Sequence, residues 1–443
     1  MKNSQKSSLK NRRKIVLNNA VFLCGALLAF SIAIVFSACQ DKSNVDPQVA
    51  IINQAIAEAG AQWTAAETWV SKLPLEQRMD LLGDVLAEHP DMEPTAATPP
   101  LAVLEQYLRT AELPPYFDWT NHKGHNWMTQ VRNQRQCGSC YTFAAVGAME
   151  ATIRISNQTP NTGVDFSEQH LVSCLDDCNG CNGCVAGVNK SFKYIYNYGV
   201  PPEDCFSYQA RDLACSQSCS NWQDIAVKID YYYSVDRDLD TIKKDIQLHP
   251  IATSMYVYED FYYYESGVYE HVTGDFDGGH AVVIVGYDDA NQCFIVRNSW
   301  GANWGEGGYF RIKYDDDSAV GFSTNGNWAC LYYGDLEPPP APTGVKAVNQ
   351  YSQGVSGAKM RQINISWNET PSGNTYGFYL YASENNNAAD MTKVQRDMIK
   401  TNTYIYDNVP GDTDFVMHFA LTAVAPSGKE SEFSEVVQNQ DPL

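Results

Sequence analysis

The sequence predicts an α+β fold built from two packed lobes, followed by a separate all-β sandwich. Three observations carry that reading. Its 443 residues exceed one ordinary domain and suggest two or three. Between residues 113 and 335, helical patterns come first and strand patterns later, as in two lobes of different character. Beyond the proline-rich stretch LEPPPAPTG (336–344), a cysteine-free tail repeats short strand-like runs separated by turn residues.

The first 38 residues read as an export address. They hold six basic residues (Lys2, Lys6, Lys10, Arg12, Arg13, Lys14) and no acidic one, ahead of the apolar run AVFLCGALLAFSIAIVFSA (20–38). The end FSAC resembles a bacterial lipoprotein signal, with Cys39 as the acylated residue and Phe36 where such signals carry Leu. An uncleaved anchor helix is the rival reading. Both expect a chain exported to the bacterial cell envelope and tethered to a membrane. Gln40, rather than Asp, after the cysteine points to the outer membrane. The whole chain carries a formal net charge of −21; without the six leading cations it has 25 basic against 52 acidic residues. Such a surface repels phosphate backbones and excludes nucleic acid as a partner.

Residues 39–112 read as a small helical segment. Leu75, Met79, Leu82 and Leu86 recur at helical spacing after Pro74, and Leu101, Leu104 and Leu108 repeat the pattern after Pro99-Pro100. No catalytic cluster stands out there.

From Leu113 the elements follow in order. A helix runs from Cys140 to Ile155, and a second covers 166–174 with Ser167 as its N-cap. Strands are expected at 251–258, 280–287, 293–300 and 308–314. In the tail, INISWN, YGFYLYAS, TYIYDNV and VMHFALTAV are the strand runs, with turns such as NVPGDTD and APSGKES between them. The tail resembles a fibronectin type III domain over its length, with Trp367 as the early core tryptophan. PGDTDF resembles the corner before the sixth strand, with Phe415 replacing the usual Tyr.

Export makes the cysteine count informative. Setting aside Cys24 and Cys39 from the thirteen leaves eleven, an odd number in an oxidising compartment, so one thiol is free beside five possible disulfides. Cys140 stands at the mouth of a helix, where unsatisfied N–H groups and the helix dipole favour a thiolate. Acyl transfer by a thiolate needs an imidazole, and a group on the other imidazole nitrogen to orient it. His280 follows Gly278-Gly279 at a strand start, and Asn298 sits at a strand end with Trp300 two residues on. Singly, each has a plainer explanation: a structural histidine, a turn asparagine, a disulfide cysteine.

Together, NQRQCGSCY, GGHAVVIVGY and RNSWGANWGEGGYFRI resemble the papain-like cysteine peptidases, whose signature C-G-[SA]-C-[WY] places His and Asn about 130–150 residues downstream. Here His280 follows by 140 residues and Asn298 by 158. LPPYFDW (113–119) resembles a mature start of that family. The resemblance spans about 113–335 and implies a two-lobed fold of a helical and a β-barrel-like lobe. It implies that Cys140 is the nucleophile, that His280 is its acid–base partner oriented by Asn298, and that Trp300 covers that pair. Gln134 would donate to the oxyanion together with the backbone N–H of Cys140. It further implies disulfides Cys137–Cys181, Cys174–Cys215 and Cys293–Cys330, leaving Cys178, Cys184, Cys205 and Cys219 unassigned. Gly183 and Cys184 would hold an extended peptide, with Cys184 in place of the family's second glycine. An iron–sulfur or zinc set in CLDDCNGCNGC (174–184) is the rival for those cysteines; the resemblance implies no metal and no cofactor.

The expected domains are a signal (1–38), a helical pro-segment (39–112), a peptidase (113–335) and a sandwich (336–443) of unknown ligand. The expected activity is peptide-bond hydrolysis of a peptide or protein substrate through a thioester. A catalytically inactive adhesin on the same fold and a transglutaminase-like acyl transferase are the alternatives. Asp335 falls near the base of the pocket for the second residue before the scissile bond. There it would favour Arg or Lys, unless it merely opens the linker in solvent.

Overall fold

The computed structural model of the protein describes residues 46–85, 112–322, 326–333, 338–353, 359–371, 375–395, 397–409 and 415–442. The signal with Cys39, the leucines Leu86, Leu101, Leu104 and Leu108, residues 410–414 and Asp335 lie outside the described residues. Among the described residues no helix is long and apolar enough to cross a membrane.

The leading segment forms helix α1 (Pro47–Ala59), started by Asp46, whose side chain accepts from Gln48 N–H, and ended by Gly60 in the left-handed region. Strand β1 (Gln62–Ala65) follows. The helical spacing of Leu75, Met79 and Leu82 yields only the short helix α2 (Leu75–Met79). Beyond it the chain turns extended and enters strand β2 (Asp84–Val85). Leu81 is buried all the same, because it enters a cleft rather than a helix–helix contact.

The helical lobe is built on α3 (Cys140–Asn157), in which Cys140 to Ile153 are essentially all buried. A helix buried on every side belongs at the centre of a core, and its one buried carboxylate, Glu150, accepts from Thr129 Oγ1 and Phe166 N–H. Gly147 lets the Arg297 guanidinium lie against it; a Cβ there would meet Nη1 at 2.7 Å. Around α3 lie α4 (Glu168–Cys174), which Ser167 caps by accepting from His170 N–H, then α5 (Gly187–Tyr198) and α6 (Trp222–Ile225).

The second lobe is a nine-stranded sheet. After β3 (Tyr116–Asp118) and β4 (Cys184–Val185), its strands are β5 (Tyr231–Val235), β6 (Ile251–Tyr258), β7 (Tyr264–Tyr269), β8 (Phe276–Asp288), β9 (Cys293–Arg297), β10 (Tyr309–Lys313) and β11 (Asn327–Leu331). Helix α7 (Leu239–Ile246) joins β5 to β6. The order is β1-β7-β10-β9-β8-β6-β11-β5, with β3 on β8, so the leading segment supplies one edge strand. β2 pairs separately, in parallel, with β4.

The tail forms two sheets over one core. β12 (Lys346–Gln353), β13 (Lys359–Ser366) and β16 (Thr403–Val409) make the first. β14 (Gly377–Ser383), β15 (Thr392–Lys393), β17 (His418–Val424) and β18 (Val437–Gln438) make the second. Ile363 and Ile365 of one sheet meet Phe378, Leu380, Phe419 and Leu421 of the other, with Trp367 among them. This is sandwich packing, inner faces interdigitated.

Among the described residues four disulfides are present: Cys137–Cys181, Cys174–Cys215, Cys178–Cys184 and Cys205–Cys219. Every sulfur of the 174–184 run is engaged in one. The expected Cys293–Cys330 pair is not formed; both thiols are free and buried. Cys293 starts β9 and Cys330 lies in β11, three strand positions apart in the sheet order. At about 4.8 Å per step that is roughly 14 Å, twice the reach of a disulfide. Cys330 instead faces Thr152 of α3, with its Sγ 3.6 Å from Oγ1. Among the described residues three thiols are therefore free, so counting alone does not single out Cys140.

Candidate active site

The site forms where the start of α3 meets β8. Cys140 is the first residue of α3 and fully buried. The backbone N–H of Ala281, next to His280 on β8, points at its thiol. β8 and β9 pair with Val283 opposite Arg297. Continued by one residue, that register sets Asn298 opposite Val282, and His280 lies two residues along on the same face. The Asn298 Oδ1 accordingly lies 2.8 Å from His280 Nε2, and it also accepts from Ser299 N–H at 2.7 Å. Trp300 lies over the imidazole, with ring centres 4.9 Å apart, and is itself fully buried. The sequence-derived Cys140, His280, Asn298 and Trp300 are thus brought together.

Gln134 is buried beside them and held on every side. Its backbone N–H donates to Ser299 O at 2.8 Å, its Oε1 accepts from Ser299 Oγ at 2.6 Å, and its carbonyl accepts from Tyr208 OH at 2.8 Å. Tyr208 OH also meets Ser139 Oγ at 2.7 Å, so one phenol joins Gln134 to the residue before Cys140. Sequence reasoning missed Ser299, Tyr208 and Ser139. The RNSW motif contains the first and the CGSC motif the third, without showing what either does, and no local signal marks Tyr208.

The leading segment fills the cleft. The Leu81 carbonyl accepts from Gln134 Nε2 at 3.0 Å. It also faces His280 and favours its charged form without completing a hydrogen bond to Nδ1. Gly83 lies against Gly138, where an added Cβ would overlap the Gly138 carbonyl. Its own carbonyl accepts from Cys184 N–H at 2.8 Å. Gly183, at φ +89°, leaves room for the same backbone. So Gly183 and Cys184 do contact an extended peptide, one belonging to the chain itself. Trp69 of the leading segment adds a hydrogen bond from Nε1 to the Trp300 carbonyl at 2.8 Å.

The electrostatics follow from this cover. Burial, then the nearby Asp84 carboxylate, pushes the Cys140 thiol up to about 12. Burial pulls His280 down to about 4, against the opposing bond to Asn298. With the cleft filled, thiol and imidazole are both neutral at pH 7. Opening the cleft to water removes the leading cause of both shifts. The helix terminus and imidazole then favour the ion pair that acyl transfer requires.

Residues 113–329 match the family model described as papain family cysteine protease. Over 224 residues the chain is 38% identical to pro-cathepsin H of Bos taurus, spanning 48% of this chain and 64% of that relative. It is 34% identical over 221 residues to cathepsin B-like CP3 of Giardia intestinalis, covering 73% of its length. Among solved structures, proCathepsin B S9 from Trypanosoma congolense superposes with a TM-score of 0.53 at 24% identity, over 64% of this chain and 96% of that one. The digestive procathepsin L2 proteinase from the Tenebrio molitor larval midgut gives 0.50 at 25%, over 64% and 89%. The two superpositions carry the fold, and the sequence relatives carry the kinship: the chain belongs to the papain family of cysteine proteases.

Proposed function

We propose that the protein is the proform of a cysteine endopeptidase, exported to the bacterial envelope and tethered there, in which Cys140, His280 and Asn298 hydrolyse peptide bonds. The observation that carries this reading is the course of Leu81–Val85, an extended peptide laid over Cys140. Its carbonyls bond to Gln134 Nε2 and to Cys184 N–H. A cleft that grips its own backbone in this way is built to grip a substrate's.

In the open enzyme the Cys140 thiolate attacks the scissile carbonyl. Gln134 Nε2 and the Cys140 N–H take up the oxyanion charge, in a site where fixed donors need no reorganisation. His280, held by Asn298 through Nε2, gives its proton from Nδ1 to the leaving amine. It then takes one from water as that water attacks the thioester. Residues 39–112 act as an inhibitory pro-segment, and residues 336–443 form a fibronectin type III-like module beside the peptidase. Cys39 is the lipid attachment site, and Asp335 sets a preference for Arg or Lys two residues before the cut.

The test is labelling by an epoxysuccinyl peptide together with peptide hydrolysis, in wild type and Cys140→Ala. Both signals should vanish in the variant while its circular dichroism is retained. A chain that folds but neither labels nor cleaves would be the inactive binding protein instead.

A further inference from the structure

The leading segment enters the cleft past an aromatic and acidic patch, and it places a cation there. The Arg78 guanidinium lies 5.6 Å from the ring centre of Tyr262 and 5.5 Å from that of Tyr263. Its own segment positions it, through Nε to Leu73 O at 2.8 Å and Nη2 to Ser71 O. Asp277 faces the same guanidinium, which offsets the repulsion Asp277 receives from Glu259 and Asp275. Tyr262 is fully buried, and its hydroxyl is paired with the Asp277 carboxylate, so ring and carboxylate face the guanidinium together. Two aromatic faces beside a carboxylate make a place that a cation with several N–H donors fits.

The place of this patch relative to the chemistry is fixed by stacking. The Tyr262 ring stacks on Trp300 with centres 5.8 Å apart, and Trp300 lies on His280. The patch therefore adjoins the imidazole that would protonate the departing amine. The β4 edge, which holds Gly83, lies at the other end of the crossing segment. A peptide bound across Cys140 thus lays its leaving fragment towards Tyr262.

We propose that Tyr262, Tyr263 and Asp277 form a cation subsite on the leaving-group side of the cleft. It selects Arg or Lys within the first two residues after the scissile bond, and Arg78 occupies it in the full chain. The inference rests on the peptidase reading and deepens it.

The experiment compares quenched fluorescent peptides, identical up to the cut, that carry Arg, Lys, citrulline or Leu at each of the two following positions. They are offered to the full chain in the form in which it turns peptide over. Citrulline keeps the shape of Arg and removes its charge. Arg and Lys peptides should exceed citrulline in kcat/KM by about tenfold, the size of a partly buried cation contact. Asp277→Asn and Tyr262→Leu should each bring the Arg-to-citrulline ratio towards one. The ratio is internal to each enzyme, so a variant that folds poorly still reports it. Equal rates for Arg and citrulline in wild type, with Cys140-dependent cleavage intact, overturn the subsite and leave the peptidase standing. A ratio that survives both substitutions overturns it too. If no peptide of the set is cleaved, the peptidase reading fails and the subsite falls with it.

Discussion

The carbonyl of Gly83 accepts a hydrogen bond from the backbone N–H of Cys184 at 2.8 Å, so the chain closes its own cleft with main chain rather than side chain. That contact is possible because Gly83 has no Cβ. One would overlap the Gly138 carbonyl, and backbone cannot yield as a flexible side chain can. Gly83→Val should therefore lift residues 81–85 off Cys140. Epoxysuccinyl labelling of the full chain should accelerate by tenfold or more, about 1.4 kcal/mol of lost closure. Labelling at the wild-type rate would mean that the cleft is closed by something else.

The residue after it acts electrostatically. Asp84 is the second cause, after burial, of the high Cys140 thiol. A higher thiol pKa means less thiolate at neutral pH, hence slower alkylation, rising as pH rises. Asp84→Asn removes one cause and leaves burial in place. Iodoacetamide labelling at pH 7.5 should then rise roughly threefold to tenfold, since a pKa change of about one unit alters thiolate tenfold. An unchanged rate–pH profile would assign the whole effect to burial.

Gln134 and Ser299 should separate chemistry from support. Gln134→Ala removes a candidate oxyanion donor and should lower kcat by about 10²–10³. Ser299→Ala keeps that donor but frees its Oε1 from the 2.6 Å bond, so a loss of roughly tenfold in kcat with KM little moved is expected. A Ser299 effect confined to KM would place it in substrate binding instead.

Much of this was legible in the sequence, because the signals were local. Ser167 announces α4 as a cap, the apolar runs at 251–258 and 280–287 lie on β6 and β8, and the three motifs mark Cys140, His280 and Asn298. What escaped were contacts set by topology. Tyr208 meets Gln134 across 74 residues, and Ser299 across 165. Leu82 carries a helical spacing with Leu75 and Met79 but packs against Gly278 at the cleft instead of in a helix. β9 and β11 are near in sequence, yet β8 and β6 lie between them, which separates Cys293 from Cys330.

Stability should vary with pH through Glu203. Burial raises its carboxyl to about 7; Asp165 and Glu150 add to the rise, while the Tyr208 N–H bond and Arg132 oppose it. The unfolded chain holds it near 4.3. The folded state thus binds this proton more tightly, so the contribution is complete below about pH 4.3 and is lost as pH rises through about 7. Glu203→Gln should match wild type in Tm near pH 4 and exceed it at pH 8. Buried His170 and His249, both pulled down to about 4, act in the opposite sense: their contribution is lost as pH falls from about 6.5 through 4. A Tm difference that is the same at both pH values would exclude Glu203 as the titrating group.

The Cys178–Cys184 disulfide should act on peptide binding rather than on chemistry. Cys184 supplies the N–H that holds Gly83, and β4 is only two residues long, with few bonds of its own to keep it in place. Its loop turns through two left-handed glycines, Gly180 and Gly183, and is tied at two points, by Cys178–Cys184 and by Cys137–Cys181. Removing the first tie with Cys178→Ala and Cys184→Ala together leaves no stray thiol but frees the strand to move. A loosened backbone hydrogen bond is worth about 0.5–1.5 kcal/mol, so KM for an extended peptide should rise roughly threefold to tenfold. That bond is made equally in the ground and transition states, and so the loss should fall on KM and not on kcat. The effect should also shrink for substrates too short to reach β4, which separates a slack rim from general unfolding. A loss carried by kcat, and equal for short and long peptides, would show that the disulfide supports the Cys140 region instead.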